Sequence, residues 1–180
     1  MINKLGWKIG GEQGEGLEST AEIFSTVINT LGYHMYSTRD FASRIKGGHS
    51  NSKICISEER INVIDYKTDI LIAFDQATLD SYIPELDENS IIIADAKIKP
   101  EISEEIKGLV AVFPITDLAK EIANPIIKNI ITLGICSALL DIDSKIFYDM
   151  IEAKFSSKGE EIVNTNIQAF DKGREIMNED

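Results

Sequence analysis

Apolar and polar positions alternate and recur along the chain in a way that predicts most of its elements. "LGWKIGG" (5–11) reads as a first strand that ends at glycines. From Gly16 to about Leu31, the residues Leu17, Ala21, Ile23, Phe24, Val27, Ile28 and Leu31 fall at helical spacing. Gly32 is a suitable stop for that helix. "YHMYS" (33–37) fits a second strand, and the polar stretch "RDFASRIKGGHSN" (39–51) fits a loop. "SKICIS" (52–57) and "INVI" (61–64) read as a strand pair joined near "EER". "DILIAF" (69–74) is a continuous apolar run, as expected of a strand covered on both faces. A helix is predicted from Gln76 to about Leu86, and strands at "SIIIAD" (90–95) and "GLVAVF" (108–113).

The last third reads as helical. Asn124 followed by Pro125 is a start signal, with Asn as cap and Pro in the first helical position. The helix is expected to run to about Leu140, with "IITLGICSALL" buried. Asp143 or Ser144 can cap a second helix through about Phe155, and a final amphipathic helix spans roughly Glu160 to Met177. There is no internal repeat, low-complexity stretch or long linker. Strands alternating with helices, then helices in succession, predict an α/β fold: a layered domain with a mostly parallel or mixed sheet and a helical C-terminal layer. A length of 180 residues fits one domain over 1–180.

Charge narrows the function classes. A formal net charge of −12 argues against nucleic acid and against an anionic membrane surface as partners. No apolar run is long enough to span a bilayer. Cys55 and Cys136 fit neither a disulfide framework nor a paired-cysteine metal motif, which together with the lack of a signal peptide points to the cytoplasm. Both are expected to be inert core thiols, and His34, inside a strand pattern, to be structural.

Two stretches carry candidate chemistry. "IGGEQGEG" (9–16) places four glycines between a strand and a helix. Strand, glycines and helix is the geometry of a phosphate site. Yet Gly11, Gly14 and Gly16 read G-x-x-G-x-G, not the dinucleotide fingerprint, and no P-loop lysine is present. Glu12, Glu15 and Glu18 would repel a free phosphate and can themselves favour the helix start, by about 0.3–1 kcal/mol each. The glycines therefore permit a tight turn and close packing, or allow approach of a partner chain or a ligand that it carries, or form a nucleotide site of their own. The second stretch, "SRIKGGHSN" (43–51), is a basic loop in an acidic chain. Arg44, Lys46 and His49 surround Gly47 and Gly48, with Asn51 beyond and Arg39 upstream. A Gly-Gly turn with solvated basic side chains is one reading, and a binding loop is the other. His49 has no marked nucleophile or base beside it, so a hydrogen-bonding role in the loop is expected.

Together, "GEQGEGLESTAEIF" (11–24), "YSTRDFASRIKGGHSN" (36–51), "DILIAFD", "NPIIKNIITLGICSALL" and "NTNIQAFDKG" (164–173) resemble the gamma domain of 2-oxoacid:ferredoxin oxidoreductases. The resemblance is closest to the branch in which gamma and alpha are fused, as in the 2-oxoglutarate enzymes, and covers nearly the whole chain. It implies an excised domain or stand-alone gamma subunit of a complex that converts a 2-oxoacid to acyl-coenzyme A. Thiamine diphosphate, magnesium and iron–sulfur clusters are then expected in partner chains, alpha and beta above all, with ferredoxin as electron acceptor. This chain has no thiamine–magnesium pattern, and its two cysteines are too few for a cluster, which takes about four ligands. No activity is expected from it alone. Gly11, Gln13, Gly14, Gly16, Arg44, Lys46, Gly47, Gly48, His49 and Asn51 are the candidate cofactor-binding or interface residues, with coenzyme A possible at the interface and no catalytic or metal-ligating residue. The alternatives are a stand-alone Rossmann-like nucleotide- or coenzyme-binding module, and a scaffold without ligand.

Overall fold

The computed structural model describes residues 3–41, 48–62 and 66–179. Six strands form one mixed sheet: β1 (Lys4–Glu12), β2 (His34–Phe41), β3 (His49–Ser57), β4 (Ile70–Ala73), β5 (Ile91–Asp95) and β6 (Leu109–Phe113). Their order across the sheet is β2-β3-β1-β4-β5-β6. From β1 through β4 and β5 to β6 the strands run parallel. On the other side, β3 lies antiparallel between β1 and β2. The parallel half is apolar on both faces at Leu71, Ile72 and Ile93, as the continuous apolar runs predicted.

The helices are α1 (Leu17–Thr30), α2 (Gln76–Ser81), α3 (Ile115–Ile122), α4 (Lys128–Leu139), α5 (Ser144–Phe155) and α6 (Glu160–Glu179). One sheet face presents Trp7, Ile9, Ile54, Ile56, Ile70 and Ile72 to a core shared with α1, α4, α5 and α6. Trp7 stacks on Phe24 of α1 with ring centroids 4.7 Å apart. The opposite face carries a smaller apolar cluster of Leu71, Ala73, Leu79 and Ile92. Helix α1 ends as its sequence predicts: Gly32 has φ +86°, its N–H reaches Asn29, and the N–H of Tyr33 reaches back to Ile28. These are the paired bonds of a Schellman motif.

Four expectations change. The polar run 39–51 is mostly strand at its two ends: Arg39 pairs with Ser52, Asp40 with Asn51 and Phe41 with Ser50. Polar side chains at a sheet edge leave no apolar alternation to detect. The predicted pairing of "SKICIS" with "INVI" is replaced, since β3 is flanked by β1 and β2. Ile61 and Asn62 are not in a strand, and residues 63–64 lie outside the described residues. The helix predicted over 76–86 stops at Ser81, and Ile83–Glu85 forms a 3-10 turn, because Pro84 cannot donate to a helical ladder. Asn124 accepts the N–H of Ile126, but it caps a 3-10 turn (Pro125–Ile127) that leads into α4. The short helix α3 went unpredicted.

Helices α4 and α6 cross with their backbones in contact. A methyl group at Gly134 would lie 2.0 Å from the Phe170 carbonyl oxygen, and one at Gly173 would lie 1.9 Å from that of Ile131. Gly134→Ala or Gly173→Ala is therefore expected to push the helices apart and cost about 1–3 kcal/mol or more. Urea unfolding of each variant checks this. Adding the second substitution to the first should cost less than the single effects summed, because one displacement relieves both contacts.

Candidate functional site

Strand β1 leads through Gln13–Gly16 into α1, and the glycines there meet the protein's own side chains. A methyl at Gly10 would sit 2.5 Å from the Thr78 hydroxyl, one at Gly11 2.5 Å from Glu15, and one at Gly16 2.5 Å from the Asn129 amide. Gly14 differs: it has φ +99° and nothing within 4 Å of its missing side chain. Glu15 folds back so that Oε2 accepts the Glu12 N–H at 2.9 Å. Its Oε1 pairs at 2.5 Å with Nζ of Lys128, a buried lysine at the start of α4 that also lies over the Phe74 ring. Glu18 pairs with Arg39 on β2. Two of the three loop glutamates are thus neutralised by this chain's own cations.

The two sequence motifs meet. The Gln13 N–H donates to the Gly48 carbonyl at 3.0 Å, and in the β1–β3 ladder Glu12 stands opposite His49, Gly11 opposite Ser50 and Gly10 opposite Asn51. His49 does hydrogen-bond, but outside its own loop: Nδ1 lies 3.2 Å from Asp75 and Nε2 3.1 Å from the Tyr82 hydroxyl. Asp75 in turn caps α2 by accepting the Thr78 N–H at 2.8 Å. Asn51 is buried; its Nδ2 donates to Asp40, and its Oδ1 has no partner. Arg44, Lys46 and Gly47 lie outside the described residues.

Between these segments lies a cleft of about 240 Å³ whose lining includes Gln13, Gly14, Ser19, Ser50 and the Arg39–Glu18 ion pair. No side chain caps the start of α1, where Gly16 takes φ +81°. Free helix N–H groups, hydroxyls and an arginine together suit a ligand rich in acceptor oxygens. Among the described residues no group of His, Cys, Asp and Glu is arranged to hold a metal ion, and no helix is long and apolar enough to cross a membrane.

A buried charge cluster escaped the sequence reading. Lys8 and Lys53 stand directly opposite each other on β1 and β3, and both are buried. Glu85 bridges them, with Oε1 at 2.5 Å from Lys8 and Oε2 at 3.0 Å from Lys53, and accepts the Thr68 hydroxyl at 2.6 Å. Burial pushes the Lys8 ammonium below its ordinary range, more than Glu85 restores. Burial alone would raise the Glu85 carboxyl, but its bonds to Lys8, Thr68 and Lys53 hold it low. Burial, with Asp40, Glu85 and Asp75 nearby, pushes the Tyr82 phenol up to about 12. The available signal was alternation: Lys8 lies between Trp7 and Ile9, and Lys53 precedes Ile54, so both leave the apolar face together. The cysteines are buried as expected. Trp7 donates to Cys136 Sγ at 3.4 Å, and burial pushes that thiol up to about 12. His34, by contrast, is exposed on β2.

The family model for pyruvate ferredoxin/flavodoxin oxidoreductase matches residues 6–176. The chain belongs to that family. It is 28% identical over 193 residues to the 2-oxoacid:ferredoxin oxidoreductase subunit alpha of Sulfolobus sp., covering 84% of this chain but 30% of that protein. The family member is also 30% identical over 145 residues to the 2-oxoglutarate synthase subunit KorC of Methanocaldococcus jannaschii, covering 79% of this chain and 76% of that subunit. The 2-oxoglutarate:ferredoxin oxidoreductase of Magnetococcus marinus, solved with 2-oxoglutarate, coenzyme A and succinyl-CoA bound, superposes on 99% of this chain with a TM-score of 0.91 and 25% identity. This chain covers 32% of that one.

The charge cluster yields a pH prediction. Because the Glu85 carboxyl is held low in the folded state, its stabilisation is present above the ordinary carboxylate range and is lost as pH falls through its folded value. Glu85→Gln is expected to cost about 2–3 kcal/mol at neutral pH, allowing for the partial exposure of Glu85. In that variant Lys8 has lost its main partner, so stability should climb more than in the wild type as alkaline pH discharges the buried Lys8 ammonium, which burial already holds below its ordinary range. Denaturant titrations from acid to alkaline pH check both limbs.

Proposed function

We propose that this chain is the gamma domain or gamma subunit of a thiamine-diphosphate-dependent 2-oxoacid:ferredoxin oxidoreductase complex, which decarboxylates a 2-oxoacid oxidatively and delivers the acyl group to coenzyme A. One observation carries the reading. The two motif segments join through the Gln13–Gly48 hydrogen bond beside a cleft lined by hydroxyls, the start of α1 and the Arg39–Glu18 pair. Alpha and beta chains are its partners in this reading. They hold thiamine diphosphate, magnesium and the iron–sulfur clusters, and pass electrons to ferredoxin in the cytoplasm. Thiamine supplies the carbanion chemistry in those chains. This chain, read here as a single domain over 1–180, contributes binding and positioning.

Coenzyme A is the ligand we assign to the shared face. The α1 N-terminus, the open backbone at Gly14 and Arg39 fit its phosphate oxygens, and the basic residues Arg44 and Lys46 add local positive charge in an otherwise acidic chain. Arginine binds such oxygens at two points. Gly11 and Gly16 shape the turn, and the Gly48 carbonyl accepts the Gln13 N–H.

The test is reconstitution. The purified 180-residue chain, given 2-oxoacids, thiamine diphosphate, coenzyme A and a viologen dye, is expected to show no turnover, and addition of alpha and beta chains to restore it. Arg44→Ala with Lys46→Ala is expected to leave the melting temperature nearly unchanged and to raise the KM for coenzyme A severalfold in the complex. Turnover by the chain alone, or tight binding of a dinucleotide to it, would replace this reading with a free-standing coenzyme-binding module.

A further inference from the structure

Strand β2 is one edge of the sheet, paired only with β3 among the sheet strands. Its ladder to β3 runs without a bulge from His34 to Phe41. Edge strands are ordinarily protected by proline, bulges or clustered charge. This one carries no proline, no lysine and no bulge, and from Met35 to Thr38 no charged residue. Met35 and Tyr36 are exposed by 37% and 45%. Among the described residues the strand is long, regular and carries none of those protections.

We infer that β2 pairs antiparallel with β2 of a second copy of this chain, about a two-fold axis normal to the sheet between the two Ser37 residues. The reason for choosing a second copy is that the strand is complementary to itself in this register. Such an axis keeps sheet faces matched, so odd positions meet odd and even meet even. With Ser37 opposite Ser37, His34 lies opposite Asp40, Met35 opposite Arg39 and Tyr36 opposite Thr38. An imidazole faces a carboxylate, a thioether lies along an arginine stem, and an aromatic ring meets a β-branched residue. These are favourable cross-strand pairs. Moving the axis to Tyr36 leaves Arg39 and Asp40 unopposed. Moving it to Thr38 sets Tyr36 against Asp40 and Ser37 against Arg39, and leaves His34 unopposed.

The helices leave room. Helix α1 packs chiefly over β3. In the pair, the two β3 strands are three strand spacings apart, about 14 Å. Packed helix axes need about 8–10 Å, so the two α1 helices clear each other. The paired sheets form one continuous sheet across both copies. Opposing this is the net charge of −12 on each copy, so association strengthens as salt screens it. This inference does not depend on the assignment of coenzyme A or of the partner chains.

The experiment is sedimentation equilibrium of the full chain at high micromolar concentration in molar sodium chloride, where a dimer is expected. Ser37 is exposed, so charge can be placed there without disturbing the monomer. Ser37→Lys and Ser37→Glu each set like charges directly opposite across the axis, and each should raise the dissociation constant about fivefold or more. Mixing the two variants should restore association as a heterodimer. Ser37→Cys should form an intermolecular disulfide under mild oxidation, and Met35→Cys should not, because position 35 faces Arg39. A wild-type chain that stays monomeric in high salt overturns the inference. So does a dimer unaffected by Ser37→Lys, or failure of the mixed variants to associate.

Discussion

The candidate site depends on one ion pair between residues far apart in sequence. Glu15 sits in the glycine turn and Lys128 at the start of α4, and their contact joins the turn to the helical layer. Without it, the Glu15 carboxylate would face the N-terminal end of α4 unpaired, and the buried Lys128 ammonium would lose its counter-charge. The same carboxylate holds the Glu12 N–H, so one side chain sets the turn's path and anchors it. Asn129, next to Lys128, donates to the Gly16 carbonyl at 3.4 Å. Gly16 must be glycine on two counts: its φ is positive, and the Asn129 amide occupies the space of a side chain.

This arrangement explains why a glycine loop that looks like a phosphate cradle carries its own negative charge. Glu15 and Glu18 are counter-ions for Lys128 and Arg39. The turn is shaped from inside the protein, by Thr78, Glu15 and Asn129, and only Gly14 leaves its outer side open. The opposite sheet face shows a related economy. Two lysines directly opposite each other in a ladder should repel, yet one glutamate between them, with Thr68 and the Tyr82 ring alongside, makes the group a closed polar unit.

Most of the fold was legible because apolar periodicity reports burial. The buried strands Ile70–Ala73 and Ile91–Asp95, helix Leu17–Thr30 with its Gly32 stop, and the helices begun by Asp143 and near Glu160 all carry that signal. It failed where strand formation owes nothing to burial. Arg39 and Asp40 are extended because β3 offers them a ladder, not because they alternate with apolar neighbours. In the site, the glycines and His49 announced themselves by residue type. Glu85, Asp75 and Tyr82 did not, because each enters from a segment distant in sequence and looks like ordinary surface chemistry until the sheet brings it under β1 and β3.

The Glu15–Lys128 pair spans 113 residues, and its consequence concerns time as well as space. During synthesis, β1 and the glycine turn leave the ribosome well before the cation that sets their geometry. Contacts this distant carry a large loop-closure cost and form late. The nascent turn therefore stays unshaped until α4 docks, and the half-made protein has the glycine motif in sequence without having it in structure. A chain cut short before Lys128 would present the same glycines to its surroundings in no fixed form.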